Sequence, residues 1–317
     1  MKRIVRDDRG YVRRGTWLLF FALCASPCLS SGSRIDAPVQ TKEMTVQSGD
    51  VALHVEVSGR RDAENVLVAI HGGPGNSSDY MVSLRRLSGS DLAVVLYDQR
   101  GTGRSSVPTS GYGLQRYVGD LEAIRKSIGV EKIHIFGHSW GGIVAMRYAT
   151  IHPQNVRSLI LMNSGPPNAA AAGLGQAHKA ERTAELQQRG VVPERITTIN
   201  DLLPVYFSNP EFKMPEELAG MFYNPTAESH TMRELEAYDF ADEVSKLRVP
   251  VLMLWGEDDP FGLSMMDATV GALRNTEVKA VILRKCGHFW HECPDEFFRQ
   301  IREFLAQQYE RRLPARL

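Results

Sequence analysis

The sequence predicts a mostly parallel β-sheet with α-helices on both of its faces and one helical insertion. Short runs rich in Val, Ile and Leu alternate with longer stretches whose apolar residues recur at helical spacing. The short runs are apolar on both faces, as buried parallel strands are, and this alternation is typical of a doubly wound α/β domain. The predicted strands span residues 66–70, 92–97, 132–136, 158–162, 250–255 and 278–283.

One hairpin and several helices complete the predicted core. Residues 44–57 alternate apolar and polar side chains around Ser48-Gly49-Asp50, the pattern of a β-hairpin at a sheet edge. Helices are predicted at 114–128, 143–151 and 294–308. The last of these presents a row of Phe, Ile and Leu side chains at helical spacing.

One interval breaks the alternation. Residues 165–238 carry no strong strand signal, and an amphipathic helical stretch follows the alanine run at 169–172. An interval of roughly seventy residues inside a regular α/β pattern predicts a helical lid over one edge of the sheet. The predicted domains are a signal peptide (1–31), a first core segment (32–164), the lid insertion (165–238) and a second core segment (239–317).

The first residues have the pattern of a cleaved export signal. A basic start precedes the apolar segment 16–25, which at about ten residues is too short to span a bilayer. A cut near Ser30 would place Cys28 and Ser30 at the small-residue positions before the scissile bond. The sequence thus predicts a periplasmic or secreted protein with no membrane span after cleavage. An uncleaved signal anchor and a lipoprotein are the alternatives.

Export would leave Cys286 and Cys293 as the cysteines of the mature chain. In an oxidising compartment, two thiols at this spacing could close a short loop. Spacing does not fix the geometry that a disulfide needs. A disulfide and a pair of free thiols therefore both stay open at this point.

The charge balance excludes one class of partner. The 317-residue chain has 37 basic and 37 acidic residues, so its formal net charge is zero. Without a global positive field, the chain is not expected to hold a nucleic-acid backbone. We expect a small substrate, no nucleic-acid partner and no cofactor, and the sequence leaves the oligomeric state open.

The motif G-H-S-W-G at 137–141 follows one predicted strand and precedes a predicted helix. This is the context of a nucleophile elbow, in which flanking glycines let the backbone fold tightly and Ser139 projects over the sheet edge. The alternative is a small-residue turn with an exposed serine. The strand–turn–helix context favours Ser139 as a nucleophile.

A nucleophilic serine needs a base and an acid that orients the base. The chain has nine histidines, so position along the chain must decide between them. His288 follows the last predicted strand, and Asp259 follows the strand before it. The order Ser139, Asp259, His288 is that of serine hydrolases built on a parallel sheet. Asp258 is the second candidate for the acid, and His291 is the second candidate for the base.

A zinc site is the rival interpretation of the same region. The segment C-G-H-F-W-H-E-C brings Cys286, His288, His291 and Cys293 into eight residues, and all four are potential zinc ligands. The spacing is unusual for structural zinc, and the triad already accounts for His288. We therefore predict no metal.

The segment H-G-G-P-G at 71–75 follows the first parallel strand and predicts an oxyanion-binding loop. A serine hydrolase holds the developing oxyanion with one N–H from the residue after the nucleophile, here Trp140, and one from a loop after an early strand. Glycine lets such an N–H approach the substrate without a Cβ in the way. Gly73 is the first candidate for the second donor, and Gly72 is the alternative.

Five sequence blocks together resemble the α/β-hydrolase superfamily and, within it, the proline iminopeptidase family of serine aminopeptidases. The blocks are H-G-G-P-G at 71–75, D-Q-R-G-T-G-R-S at 98–105, G-H-S-W-G-G at 137–142, G-E-D-D at 256–259 and G-H at 287–288. They are ordered and spaced as in that family over about residues 44–310, and H-G-G-P-G is the most specific of them.

The resemblance implies the α/β-hydrolase fold with a helical lid and the same catalytic assignments. Ser139 would be the nucleophile, His288 the base and Asp259 the acid, with oxyanion donors from residues 71–75 and from Trp140. The block at 98–105 resembles a loop of the family in which Asp98 and Arg100 brace the floor of the active site.

The lid departs from the family pattern. An iminopeptidase must recognise a free amino terminus, which calls for carboxylates near the site. In many members these glutamates lie near tryptophans, but this chain has none between Trp140 and Trp255. Solvated helix-face charges are the alternative role for the glutamates of this interval. The available residues are Glu211, Glu216, Glu217, Glu228, Glu234 and Glu236, with Glu211, Glu234 and Glu236 as the candidates for substrate binding.

The predicted function is an acyl-enzyme serine hydrolase, specifically an aminopeptidase of proline iminopeptidase type that acts on small peptides or amides. A carboxylesterase or other small-ester hydrolase with the same triad is the alternative enzyme. A binding protein on a hydrolase scaffold is the non-enzyme alternative, although binding alone requires no complete triad.

Overall fold

The computed structural model describes residues 40–60, 63–213, 215–235 and 237–310, together with the backbone of two short strands, β1 (Val5–Arg6) and β2 (Tyr11–Arg13). Both strands lie within the segment predicted to be the signal peptide. The rest of that segment lies outside the described residues, so the signal peptide stays a prediction. No helix among the described residues is long and apolar enough to cross a membrane.

The strands form one sheet in the order β1-β2-β10-β9-β8-β7-β5-β6-β4-β3. Six neighbouring strands, from β10 to β6, run parallel, and β6, β4 and β3 pair antiparallel at one edge. The fold class predicted from the sequence is therefore confirmed. The strands not yet defined are β3 (Thr41–Ser48), β4 (Val51–Ser58), β5 (Asn65–Ile70), β6 (Leu92–Tyr97), β7 (Ile133–His138), β8 (Val156–Met162), β9 (Val251–Gly256) and β10 (Val278–Leu283).

Each predicted parallel strand is present within a residue or two of its predicted ends. Every residue of β5, β6, β7 and β9 is buried, as continuous apolar runs require in a sheet covered on both faces. The predicted edge hairpin is also present, with Ser48 paired to Val51 across the turn.

The two faces of the sheet carry separate apolar cores. Along β7, Ile135 points into one core and Phe136 into the other, which follows from the two-residue period of a strand. Helices α1 (Leu114–Ile128), α2 (Trp140–Ile151) and α8 (Leu263–Ala272) cover the first face. Helix α9 (Pro294–Glu310) and a 3₁₀ helix (Asp79–Leu87) cover the second.

Between β8 and β9 the described residues form helices and no named strand. Thr198 and Asp201 form a capping box that fixes the start of α4, and the Asn168 side chain caps α3. The helices are α3 (Ala169–Gln188), α4 (Ile199–Tyr206), α5 (Glu216–Ala219), α6 (Pro225–Glu234) and α7 (Ala241–Val244). The boundaries predicted for a lid domain stay a prediction.

The loop after β6 ties the sheet to its surrounding helices. The Asp98 carboxylate is fully buried and accepts hydrogen bonds from the backbone N–H and hydroxyl of Ser78 and from the backbone and guanidinium of Arg104. Arg100 forms a buried bidentate pair with Asp120 of α1, at 2.7 and 2.8 Å. Burial alone would raise the pKa of Asp98, but the hydrogen bonds from Arg104 and Ser78 outweigh it and lower the pKa below its usual value.

We expect Asp98→Asn to lower the free energy of unfolding at pH 7 by about 2–3 kcal/mol, because charge-assisted bonds to a buried acceptor are lost. A folded-state pKa below the unfolded value contributes stability above pH 4 or so and loses it as the pH falls through the folded pKa. The free energy of unfolding, measured with urea, should therefore fall less between pH 7 and pH 3 in Asp98→Asn than in the wild type. Asp91→Asn, at an exposed position, is the control and should follow the wild type. An unfolding free energy that falls equally with pH in the wild type and in Asp98→Asn would contradict this role for Asp98.

Candidate active site

Ser139 lies on a one-residue turn between β7 and α2, with φ 53° and ψ −118°. A non-glycine residue adopts positive φ at a cost that surrounding contacts must offset. A Cβ on Gly137 would lie 2.6 Å from the Gly141 carbonyl oxygen, and one on Gly141 would collide with the carbonyl of Ile70. The glycines of G-H-S-W-G are therefore required by backbone packing, and the serine occupies the strained position between them.

The predicted base and its predicted acid are joined by a hydrogen bond. His288 Nδ1 lies 2.6 Å from Asp259 Oδ2, and both residues are buried. The other Asp259 oxygen accepts from the Phe261 backbone N–H at 2.8 Å, which fixes the carboxylate. A carboxylate that accepts the Nδ1–H hydrogen bond keeps the proton of a neutral imidazole on Nδ1, so Nε2 is free to accept a proton.

The two second candidates lie in different surroundings. Asp258 is exposed and accepts from the Ser208 hydroxyl at 2.6 Å, so it contacts the helical region instead of His288. The His291 side chain is 5% exposed and stacked on Trp290, with Nε2 3.2 Å from Glu217 Oε1 but without a hydrogen bond to it. Burial lowers the pKa of His291 to about 4. Among the described residues, Asp258 makes no hydrogen bond to His288, and His291 makes none to Asp259.

Ser139 and His288 lie on neighbouring loops at the same edge of the sheet. The His138 ring is 4.7 Å from the His288 ring, centroid to centroid, and His138 Nε2 lies 2.9 Å from the His288 carbonyl oxygen. Within the described part of the chain, the Ser139 hydroxyl makes no hydrogen bond. The described residues therefore include a hydrogen bond between His288 and Asp259 but none between Ser139 and His288, as is common before substrate binds. The catalytic roles of the three residues stay a prediction.

Asn163 joins the two loops that carry the acid and the base. It follows β8 with φ 44°, and its Nδ2 donates to the carbonyl oxygens of Gly287 and His288 at 3.0 and 2.8 Å. Its Oδ1 accepts from the Gly256 N–H at 2.8 Å. Asn163 was not among the residues predicted from the sequence, although a polar side chain directly after an apolar strand was a signal.

The segment 71–75, called here the glycine loop, lies against the nucleophile. A Cβ on Gly72 would come within 3.2 Å of the Ser139 Cβ. The Gly72 N–H, the alternative oxyanion donor, already donates to the Tyr80 hydroxyl at 2.6 Å. This bond argues against Gly72 as the second donor. Gly73, at φ 126°, has no hydrogen-bond partner among the described residues. Trp140 begins α2, so its N–H lacks an intrahelical acceptor.

The segment 284–293, called here the base loop, is held at several points. Cys286 and Cys293 form a disulfide with a Cα–Cα distance of 5.7 Å, so the two sulfur atoms bond to each other and are not a pair of zinc-ligating thiolates. The Glu292 carboxylate accepts from the backbone N–H groups of Ser208, Asn209 and Gly287 at 2.8–2.9 Å. This carboxylate thus links the segment after α4 to the base loop.

Two of the three predicted substrate-binding glutamates lie among the described residues, and neither makes a hydrogen bond or ion pair with Ser139, Asp259 or His288. Glu211 is exposed, Glu234 accepts from the Tyr112 N–H at 2.9 Å on the side of α1, and Glu236 lies outside the described residues. Glu228 is placed differently: its Cβ would lie 3.2 Å from a Cβ on Gly75, and its carboxylate accepts from the Tyr223 hydroxyl. The helical region thus brings Glu228 against the glycine loop, which its helical context in the sequence did not reveal.

Several known proteins are similar to this chain in sequence or in fold. A family model described as "Alpha/beta hydrolase family" matches residues 67–300. A proline iminopeptidase of Lactobacillus crispatus (strain ST1) is 29% identical over 284 residues, which cover 80% of this chain and 94% of that protein. The corresponding protein of Lactobacillus acidophilus is 30% identical over 231 residues, covering 65% and 78%. The crystal structure of a proline iminopeptidase from Mycobacterium smegmatis superposes with a TM-score of 0.66 at 21% identity, covering 84% and 98%.

We expect Asn163→Gly to lower the free energy of unfolding by about 2–3 kcal/mol, because three buried hydrogen bonds are lost. Glycine tolerates the positive φ of this position, so the loss reports the side chain and not backbone strain. Asn155→Gly, a partly exposed asparagine with one long bond to Glu122, is the comparison. Equal urea unfolding curves for the two variants would show that Asn163 is not a bridge between the loops.

Proposed function

Since the chain belongs to the alpha/beta hydrolase family, we propose that it is a serine hydrolase that cleaves its substrate through an acyl-enzyme. The observation that carries this proposal is the buried Asp259–His288 hydrogen bond beside the strained turn of Ser139. A nucleophile, a base and an orienting acid in that chain order form the catalytic set of this fold. Binding alone would require none of the three.

The proposed mechanism assigns one task to each group. Ser139 Oγ attacks the substrate carbonyl while His288 Nε2 takes the hydroxyl proton, and Asp259 stabilises the imidazolium that forms. The amides of Gly73 and Trp140 hold the oxyanion of the tetrahedral intermediate. His288 then gives its proton to the leaving amine. A water molecule, activated by the same histidine, cleaves the acyl-enzyme and restores Ser139.

We further propose that the substrate is a short peptide or amide with a free amino terminus, cleaved as by a proline iminopeptidase. Two observations support this substrate class: the relatives with that name are 28–30% identical to this chain, and Glu228 lies against the glycine loop. We propose that the carboxylate of this side chain binds the substrate ammonium group, which would lie next to the scissile carbonyl.

The disulfide supports the proposal that the protein is exported. Disulfides persist in the periplasm and outside the cell, whereas reducing systems keep cytosolic thiols free. Cys286 and Cys293 are bonded across the base loop. Export to an oxidising compartment would preserve this bond at the position where it constrains His288.

A panel of matched substrates tests the reaction class. We expect hydrolysis of proline and alanine anilides with a free amine, and we expect Ser139→Ala to lower kcat by about 10⁴-fold or more. Ser90→Ala, at an exposed loop serine, is the control and should match the wild type. Faster turnover of N-blocked or simple acyl esters than of free-amine anilides would favour a carboxylesterase over the aminopeptidase.

Glu228→Gln tests recognition of the amine. We expect kcat/KM for free-amine anilides to fall about 10- to 100-fold, because a charge-assisted contact is lost, with little change for N-blocked substrates. Glu211→Gln, an exposed glutamate of the same region, should behave as the wild type. An equal loss on both kinds of substrate would assign Glu228 a structural role.

A further inference from the structure

A continuous chain of buried hydrogen bonds runs from the glycine loop to the base loop. The Gly72 N–H lies 2.6 Å from the Tyr80 hydroxyl oxygen, which lies 2.7 Å from His138 Nδ1. His138 Nε2 lies 2.9 Å from the carbonyl oxygen of His288. Two side chains therefore connect the loop that would hold the oxyanion to the backbone of the predicted base.

Each bond in this chain has a single possible direction. A carbonyl oxygen only accepts, so His138 must carry its proton on Nε2. Burial lowers the pKa of His138 well below its usual value, so the ring is neutral and Nδ1 is an acceptor. Tyr80 must then donate its hydroxyl proton to Nδ1, and its oxygen accepts the Gly72 N–H. The donors and acceptors are matched from one end to the other.

The surroundings of the two side chains leave them little freedom. Tyr80 is 0% exposed and His138 1% exposed. Their rings pack at 5.4–6.0 Å, centroid to centroid, against Phe289 and Trp290 of the base loop. Hydrogen bonds in such apolar surroundings are strong when every donor and acceptor is paired, and breaking one costs much free energy. The Tyr80 hydroxyl and both ring nitrogens of His138 take part in hydrogen bonds of this chain.

We propose that Tyr80 and His138 are positioning residues that set the distance between the oxyanion-binding amide and the base. This inference rests on the proposed function, since it assigns Gly73 and His288 their roles there. The bond to Tyr80 holds the residue directly before Gly73, and the bond from His138 holds the His288 carbonyl oxygen, which also accepts from Asn163. Displacements of about 1 Å at such groups cost about 100-fold in rate.

The glycine loop has a second brace, which does not reach the base loop. Gln99 Nε2 donates to the His71 carbonyl oxygen at 2.8 Å, and Gln99 Oε1 accepts from Trp140 Nε1 at 2.8 Å. That brace ties the loop to the start of α2. Loss of the Tyr80 hydroxyl should therefore loosen the loop relative to His288 without detaching it from the elbow.

The kinetic test uses two variants that break the chain at different bonds. Tyr80→Phe removes the hydroxyl, and His138→Asn keeps an acceptor near Nδ1 but loses the donor to His288. We expect kcat to fall about 10- to 100-fold in each, with KM changed by about two-fold or less. The reason is that misalignment of these groups weakens stabilisation of the transition state more than binding of the substrate. The double variant should lose little more than the worse single variant, because either change already breaks the chain.

Tyr97→Phe is the matched control. Tyr97 is also a buried tyrosine, but its hydroxyl has no hydrogen-bond partner among the described residues. It should keep the wild-type kcat. A Tyr80→Phe enzyme with the kcat of Tyr97→Phe, or effects of Tyr80→Phe and His138→Asn that multiply in the double variant, would overturn the proposal.

A spectroscopic measurement separates this inference from the proposed function. In protein labelled with ¹⁵N at histidine, the His138 signals should show a neutral ring protonated on Nε2, and Tyr80→Phe should shift the Nδ1 signal. Protonation on Nδ1 would overturn the inference even in an active enzyme. The expected tautomer in a wild type without Ser139-dependent hydrolysis would instead overturn the proposed function, and the kinetic role of the two residues with it.

Discussion

The close approach of helix α2 to the ends of two strands is the constraint on which the site depends. A side chain on Gly141 would collide with the carbonyl of Ile70 at the end of β5, and one on Gly142 would collide with Ser164 after β8. Because both positions are glycine, the chain reverses within one residue and holds Ser139 at positive φ. The same approach presses the glycine loop, which leaves β5, against the nucleophile.

The ends of two more strands, β9 and β10, are joined to this point by polar side chains that do no chemistry in the proposed mechanism. Asn163 connects the loops after β9 and β10, and Glu292 connects the base loop to the end of α4. Tyr80 and His138 connect the base loop to the glycine loop. Each bridge bonds to backbone groups of the loops that it joins, so the stability and the alignment of the site depend on the same hydrogen bonds.

Much of this arrangement could be predicted from the sequence. The continuous apolar runs identified the parallel strands, because a strand buried on both faces shows no alternation of polar and apolar residues. The residues that follow those strands included Ser139, Asp259 and His288. Tyr80 and Glu292 could not be found in this way, because neither directly follows a strand and their bonds to His138 and to Ser208 join residues far apart in the sequence. The position of Glu228 could not be predicted for the same reason: a carboxylate on a helix face reaches its place only when the helix packs against the glycine loop.

The most direct test of the central claim is covalent labelling with a fluorophosphonate, followed by mass spectrometry of the digested protein. Such a reagent reacts with a serine only where a base and oxyanion donors activate it. The account predicts one adduct, on Ser139, that forms in the wild type and is lost in His288→Ala. An adduct on another residue, or no adduct in folded wild-type protein, would contradict it.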